Sequence, residues 1–273
     1  MSGRGVSGDL ESPELQPHRA VIYNLQFSIF NLPIHLMAIL SGSAFRGLTN
    51  SILDFFYPPV CLSCRKLLID GQRHVCEQCW DSIEPIRRDL ELYQETRHKL
   101  CVSGTVDELV ASFVFEKEGA FQHIAHALKY TGFQSIGIEL GKRVGGVMNS
   151  WNVRADCLIP IPLHKRKLRE RGFNQAELIA RGASEVTGIP LRTDLVRRQK
   201  FTQSQTSLSL EDRKKNVEDA FEILRNDSGD VDQKTCILID DVITTGSTIL
   251  ACANALRTAG AARIVAASAA LAA

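Results

Sequence analysis

The sequence predicts an α/β protein: a mostly parallel sheet flanked by helices, preceded by a small cysteine module. Three observations predict it. Short continuous apolar runs at 109–115, 157–161 and 236–239 alternate with amphipathic helical stretches, the pattern of strands buried on both faces of a parallel sheet. The last of these runs opens residues 235–248, T-C-I-L-I-D-D-V-I-T-T-G-S-T, in which a strand leads to two acids, a small hydroxyl-rich turn and a helix. Two Cys-x-x-Cys pairs, Cys61/Cys64 and Cys76/Cys79, stand upstream. A chain of 273 residues can hold one sizeable core plus a smaller module. Its net charge of +1 points away from a bulk polyanion partner, so any basic function must be local.

The first fifty residues read differently from the rest. Residues 1–19 are polar and rich in Gly, Ser and Pro, with no periodic apolar pattern, and are expected to lack fixed structure. Residues 20–40 are apolar but carry Asn24, Gln26, Ser28, Asn31, Pro33 and His35, so no stable membrane span is expected. A secretory leader would place positive charge where Asp9, Glu11 and Glu14 stand. Residues 1–50 are therefore expected to be a poorly ordered extension, with Met37 an alternative true start, and the protein is expected to be cytoplasmic.

Residues 51–84 form the cysteine module. The two knuckles are separated by eleven residues, 65–75. That arrangement lets four thiolates converge on one tetrahedral zinc in a closed, structural site, with Asp70-Gly71 as a hairpin turn. Disulfides would need an oxidising compartment, and a redox Cys-x-x-Cys is usually single. His74 is a further candidate ligand but reads as a bystander beside four thiolates. Phe55, Phe56, Tyr57 and Trp80 are expected to pack the module onto its neighbours, whereas Cys101, Cys157, Cys236 and Cys252 read as small buried hydrophobes. Residues 85–108 are charged and are taken as a linker.

The main domain is expected over 109–273. Helices are predicted at 121–130 and 136–150, and a strand at 157–161 is stopped by Pro160 and Pro162. A basic loop, 163–175, follows. Lys165, Arg166, Lys167, Arg169 and Arg171 against Glu170 give a local charge of five minus one, +4. Ligands in open α/β sheets lie outside the carboxyl ends of strands, and arginine forks grip phosphate oxygens. A solvated turn or a nucleic-acid backbone contact fits the same residues. Asn174 caps the next helix, with Glu177 at the capping-box position and Ala176, Ile179, Ala183 and Val186 on its buried face; Gly188 and Pro190 end it. Residues 197–216 are polar and longer than a connection needs, as in a lid that excludes water from a reacting centre. Strands at 221–224 and 263–270 and a helix at 249–258 complete the domain.

The acid-and-hydroxyl stretch suits a phosphorylated sugar. Backbone N–H groups of the turn and the helix start would hold a phosphate, with Gly246 allowing close approach and Thr244, Thr245, Ser247 and Thr248 adding donors. Asp240 and Asp241 would accept from a vicinal diol. A buried strand ended by a capped turn has the same residues. A Walker B element would need a Gly-x-x-x-x-Gly-Lys-Ser/Thr loop upstream, and the sequence has none; Gly141-Lys142 is followed by Arg143.

Residues 235–248 resemble the phosphoribosyl-pyrophosphate (PRPP) motif of the type I phosphoribosyltransferases. With the cysteine pairs, Leu128-Lys129-Tyr130, residues 159–164 (I-P-I-P-L-H), Arg171-Gly172-Phe173-Asn174-Gln175, Thr202–Thr206, Arg213 and Asn216 in order, the chain from about Leu53 onward looks like the ComF/GntX family. The resemblance implies a type I phosphoribosyltransferase fold and a link to competence and DNA uptake. It implies ribose binding by Asp240 and Asp241 and 5′-phosphate binding by residues 244–248. Pyrophosphate contacts are expected from Lys129, Arg166, Arg169 and Arg171, with Mg²⁺ carried by PRPP. Some relatives have further cysteine pairs; their lack here predicts one zinc. The expected activity is phosphoribosyl transfer to an unknown acceptor. A non-catalytic PRPP sensor and an adaptor binding single-stranded DNA or a helicase partner are the alternatives. Lys129 and His164 are the candidates for an acceptor's base.

Overall fold

The computed structural model describes residues 58–69, 71–130, 132–199, 220–224 and 231–273. The expected extension, the start at Met37, most of the polar segment 197–216 and the family motif residues within it lie outside these residues. Pro59–Ala273 form one compact unit. Its elements are α1 (Glu77–Asp81), α2 (Glu91–Cys101), β1 (Glu108–Val114), α3 (Ala120–Tyr130), α4 (Gln134–Ser150) and β2 (Cys157–Pro160). After them come α5 (Lys165–Arg171), α6 (Gln175–Thr187), β3 (Val196–Arg198), β4 (Phe221–Ile223), β5 (Thr235–Ile243), α7 (Ser247–Thr258) and β6 (Arg263–Leu271).

Four strands form a sheet in the order β1-β6-β5-β2, each neighbouring pair parallel. β3 and β4 make a separate antiparallel pair. Strand side chains alternate between two cores, as a period of two requires. Val110, Ile237, Ile239, Val265 and Ala267 face one layer, built from Ile124 and Leu128 of α3, Leu140 and Val144 of α4, and Ile179 of α6. Leu109, Cys236, Leu238, Ile264 and Ala266 face the other, built from Tyr93 and Leu100 of α2 and Cys252 and Leu256 of α7. Cys61, Cys76, Cys79 and Trp80 belong to the first layer, and Trp80 stacks on Phe113 of β1 at 6.0 Å between centroids. The cysteine segment is thus packed against the sheet.

Three expectations change. Residues 85–108, expected as a linker, contain helix α2, whose Tyr93, Thr96 and Leu100 are buried at helical spacing. Its charged residues mask that stripe in the sequence; Tyr93 Oη also donates to the Leu109 carbonyl at 2.9 Å. The basic loop is a short helix, α5, capped by His164, whose Nδ1 accepts from Arg166 N, and ended by Gly172 at φ 79. Strand β5, expected to end before the acids, continues through them to Ile243. It can do so because β6 stays paired with it: Asp240, Val242 and Ile243 face Ser268, Ala270 and Leu271.

Helices α4 and α6 cross at glycines. A Cβ on Gly141 would be driven into the Ile179 carbonyl, and one on Gly182 into that of Ile138. Backbone cannot yield as a flexible side chain does. Gly141→Ala or Gly182→Ala is therefore expected to cost about 3 kcal/mol or more, read as a lower urea midpoint with an unchanged slope.

Candidate functional site

The acid pair owes its setting to unequal strand lengths. β2 pairs with β5 only as far as Pro160 opposite Ile239, with one further bond from Ile161 N to the Ile239 carbonyl. Pro160 and Pro162 lack the N–H that would extend the ladder. Beyond that point β5 is paired with β6 alone, and its β2 side opens into a cavity of about 200 Å³. The chain leaves β2 toward α6 in one layer and leaves β5 toward α7 in the other, the topological switch point where α/β sheets bind ligands.

The cavity wall gathers Lys129, Lys167, Arg171, Gln175, Arg198, Asp240, Asp241 and Thr248 with the apolar Ile161 and Leu163. Lys129 Nζ meets Asp241 Oδ2 at 2.8 Å, with the two side chains 27% and 21% exposed, so this link lies in the wall and does not seal the acids off. Asp240 Oδ1 accepts from Asp241 N and Asp241 Oδ1 from Val242 N, both at 2.9 Å. Burial, then the Asp241 charge, push the Asp240 carboxyl up to about 8, against the Asp241 N–H and Lys129. Burial draws the Arg198 guanidinium below its ordinary value, with Asp240 opposing. Burial, then Arg171 and Arg198, do the same to the Lys167 ammonium.

Of the residues selected from sequence, Lys129, Arg171, Asp240, Asp241 and Thr248 meet in this wall. Thr244, Thr245 and Ser247 are exposed on the adjoining turn, where Thr245 Oγ1 and Ser247 Oγ are 3.2 Å apart. Gly246 adopts φ +75, and a Cβ there would lie 2.5 Å from Leu100 Cδ2. Arg166 and Arg169 are not brought into the wall. Arg166 is exposed and paired with Glu170 at 3.0 Å. On a helix Lys167 and Arg171, four apart, share a face; reading α5 as a loop hid that division and left Lys167 unselected. Arg198 and Gln175 were also missed. Gln175 is 2% exposed. Its Oε1 accepts from Arg171 Nη1 at 3.0 Å, which fixes the amide orientation. Its Nε2 has no hydrogen-bond partner, and a buried orphan donor in a cavity wall calls for an acceptor from a ligand. Gln175 stands in the motif stretch 171–175 and Arg198 in the polar segment 197–216, but nothing in the sequence singles out either as part of this wall.

A larger cleft of about 370 Å³ lies over Arg88, Arg97, Asp107 and Glu108, at the amino end of β1. Its charges are largely paired internally: Arg88 and Arg263 with Glu108, and Arg257 with Asp107.

The metal centre is separate. The Sγ atoms of Cys61, Cys64, Cys76 and Cys79 all lie within 4.8 Å of one another, and those of Cys64 and Cys76 are 3.7 Å apart. Tetrahedral zinc at about 2.3 Å from each sulfur would set them about 3.8 Å apart, so the four thiols fit the ion. Burial alone would raise the Cys61 thiol, but backbone N–H groups of Cys76, Cys64 and Ser63 bring it down to about 6. His74 is outside the cluster; its Nε2 is 2.6 Å from Ser135 Oγ. Among the described residues no three carboxylates or imidazoles gather in the cavity. Cys157, Cys236 and Cys252 are buried, while Cys101 is partly so. No helix of the described residues is long and apolar enough to cross a membrane.

The phosphoribosyl transferase domain family matches residues 170–273, and the double zinc ribbon domain family matches residues 52–90. Sheet, switch-point cavity and cysteine cluster together define a phosphoribosyltransferase-like protein with a zinc ribbon. Competence protein F of Haemophilus influenzae is 37% identical over 105 residues, 38% of this chain and 45% of the relative. DNA utilization protein YhgH of Escherichia coli is 33% identical over 109 residues, 40% of this chain and 46% of the relative. The chain thus spans about half the length of these relatives. Competence protein ComFC of Bacillus subtilis is 27% identical over 205 residues, covering 70% of this chain and 74% of the relative. By these matches the chain is similar to the competence protein F and ComFC proteins, with a phosphoribosyl transferase domain match following a double zinc ribbon match.

Two outcomes are expected. Metal analysis of the purified protein should find a single zinc per chain, with Cys64→Ser losing the metal and melting at lower temperature. Asp240→Asn should stabilise the fold in a pH-dependent way. The folded carboxyl titrates near 8 and the unfolded one near about 4, so the native state binds the proton more tightly. Wild-type stability is then full below about pH 4 and declines as pH rises toward the folded value. Asn does not titrate, so its advantage should be absent near pH 4 and reach about 1–2 kcal/mol by pH 8, allowing for partial exposure. Denaturant midpoints across that range measure it.

Proposed function

We propose that the cavity binds PRPP as its Mg²⁺ complex and that the protein transfers the phosphoribosyl group to an acceptor. The observation that carries this reading is the juxtaposition of Asp240 and Asp241 with Lys129, Lys167, Arg171 and Arg198 in one wall beside the hydroxyl-rich turn. Four cations against two acids leave a positive balance suited to a polyanion. Because Asp240 is held protonated near neutrality, the pair carries about one negative charge, which lessens repulsion of the phosphates while leaving oxygens to accept from the ribose diol. Gln175 Nε2 and the helix start after Gly246 supply further donors for phosphate oxygens.

In the proposed reaction the bond from C1 to pyrophosphate breaks, the electron pair leaves with pyrophosphate, and the acceptor's nucleophile bonds to C1 and gives up its proton to the released pyrophosphate or to water. Lys167 and Arg171 stabilise the charge that grows on the leaving group, and Asp241 stabilises the electron-poor sugar. Mg²⁺ supplies charge neutralisation and orientation of the diphosphate. His164 caps α5 and Lys129 is engaged with Asp241, so neither is assigned as a base. The sensor reading is one rival, and pyrophosphate release from Mg-PRPP with a panel of bases separates it from transfer. The outward face of α5, with Lys165, Arg166 and Arg169 exposed, supports the adaptor reading. Binding of single-stranded DNA that weakens steeply with salt would favour it.

Asp241→Asn is expected to weaken Mg-PRPP binding about thirtyfold or more in calorimetry while circular dichroism stays native. Undiminished affinity would refute the assignment.

A further inference from the structure

Both cysteine knuckles touch the segment that delivers Lys129. Ser63, between the ligands of the first knuckle, has its Oγ 3.4 Å from His123 Nδ1 in α3. His74, just before the second knuckle, has Nε2 2.6 Å from Ser135 Oγ, and its ring lies 5.1 Å from that of Phe133. Phe133 and Ser135 form the start of α4, immediately beyond the turn at Gly132 that ends α3. The knuckles are themselves joined through Leu62 N donating to the His74 carbonyl at 2.9 Å. Between these two attachments α3 buries Ile124, Ala127 and Leu128 in the core layer that also contains Cys61, Cys76 and Cys79. Lys129 is the penultimate residue of α3 and reaches Asp241.

We infer that the zinc ribbon acts as a clamp on α3, in which His74 and Ser135 are positioning residues that hold Lys129 against the acid pair. A metal held by the four thiols would join the two knuckles, the knuckles bracket α3 fore and aft, and the last turn of α3 carries the Lys129 ammonium into the cavity. A lysine has four rotatable bonds to order, so its grip on Asp241 depends on a fixed backbone origin. The inference rests on the cavity being a PRPP site only for its affinity readout.

The test uses the full chain with zinc bound. His74→Ala and, independently, Ser135→Ala remove the clamp contact without altering a thiol. Zinc stoichiometry should stay at the wild-type value. Amide hydrogen exchange over residues 126–130 should accelerate in both variants. Affinity for Mg-PRPP should fall about tenfold, the size of a typical coupling between sites. Combined with Lys129→Met, either clamp variant should add less than a twofold further loss, because the effect is transmitted through that lysine. An equal loss in the Lys129→Met background would overturn the inference, as would unchanged exchange in the last turn of α3 or loss of zinc from both variants. If the wild-type protein fails to bind Mg-PRPP, the exchange measurement alone decides the clamp, and only the proposed function falls.

Discussion

One strand outrunning its neighbour governs this site. β5 has a partner on both sides up to Ile239 and on one side from Asp240 onward. A carboxylate in the middle of a doubly flanked strand would be driven into a core, and one in a free loop would be fully solvated. Here Asp240 and Asp241 keep the rigidity of a ladder and the access of an edge. The prolines at the end of β2 create that condition by withholding hydrogen-bond donors, and the β6 partners preserve it by continuing the pairing. Everything in the cavity is arranged around these two residues.

The electrostatics follow from the same placement. Adjacent acids at a half-buried edge repel each other, and the fold answers with Lys129 on Asp241 and a proton on Asp240. Burial, then the Arg171 and Arg198 charges, disfavours the Lys167 ammonium, and burial disfavours the Arg198 guanidinium against the pull of Asp240. The wall therefore holds opposed charges in partial mutual neutralisation, with Asp240, Lys167 and Arg198 each drawn toward its neutral form. This fits a site whose components are less stable separately than with a ligand among them.

Much of the architecture could be read from the sequence, because buried parallel strands are continuous apolar runs and the helices between them keep a period near 3.6 residues. The runs at 109–115 and 236–239 correspond to β1 and the first part of β5, and the four thiols of the spaced Cys pairs do converge. What escaped reading was set by tertiary contact. Helix α2 hides its buried Tyr93 and Leu100 among charges. The basic segment 163–175 looks like a loop until His164 and Gly172 close a helix around it. No local pattern shows that Asp240 stays in register with Ser268, that Lys167 lines the cavity while Arg166 pairs with Glu170, that Gln175 buries its amide in the same wall, or that Arg198 joins it from another part of the chain.

Leu100 gives the hydroxyl-rich turn a floor. Its side chain lies directly behind Gly246, leaving no depth for the turn to rock backward when something presses on its outer rim. A ligand can therefore approach from the open side only, and its arrival would find the turn already in its final shape. Helix α2, easily dismissed as a connector, would then be the abutment that makes this rim rigid.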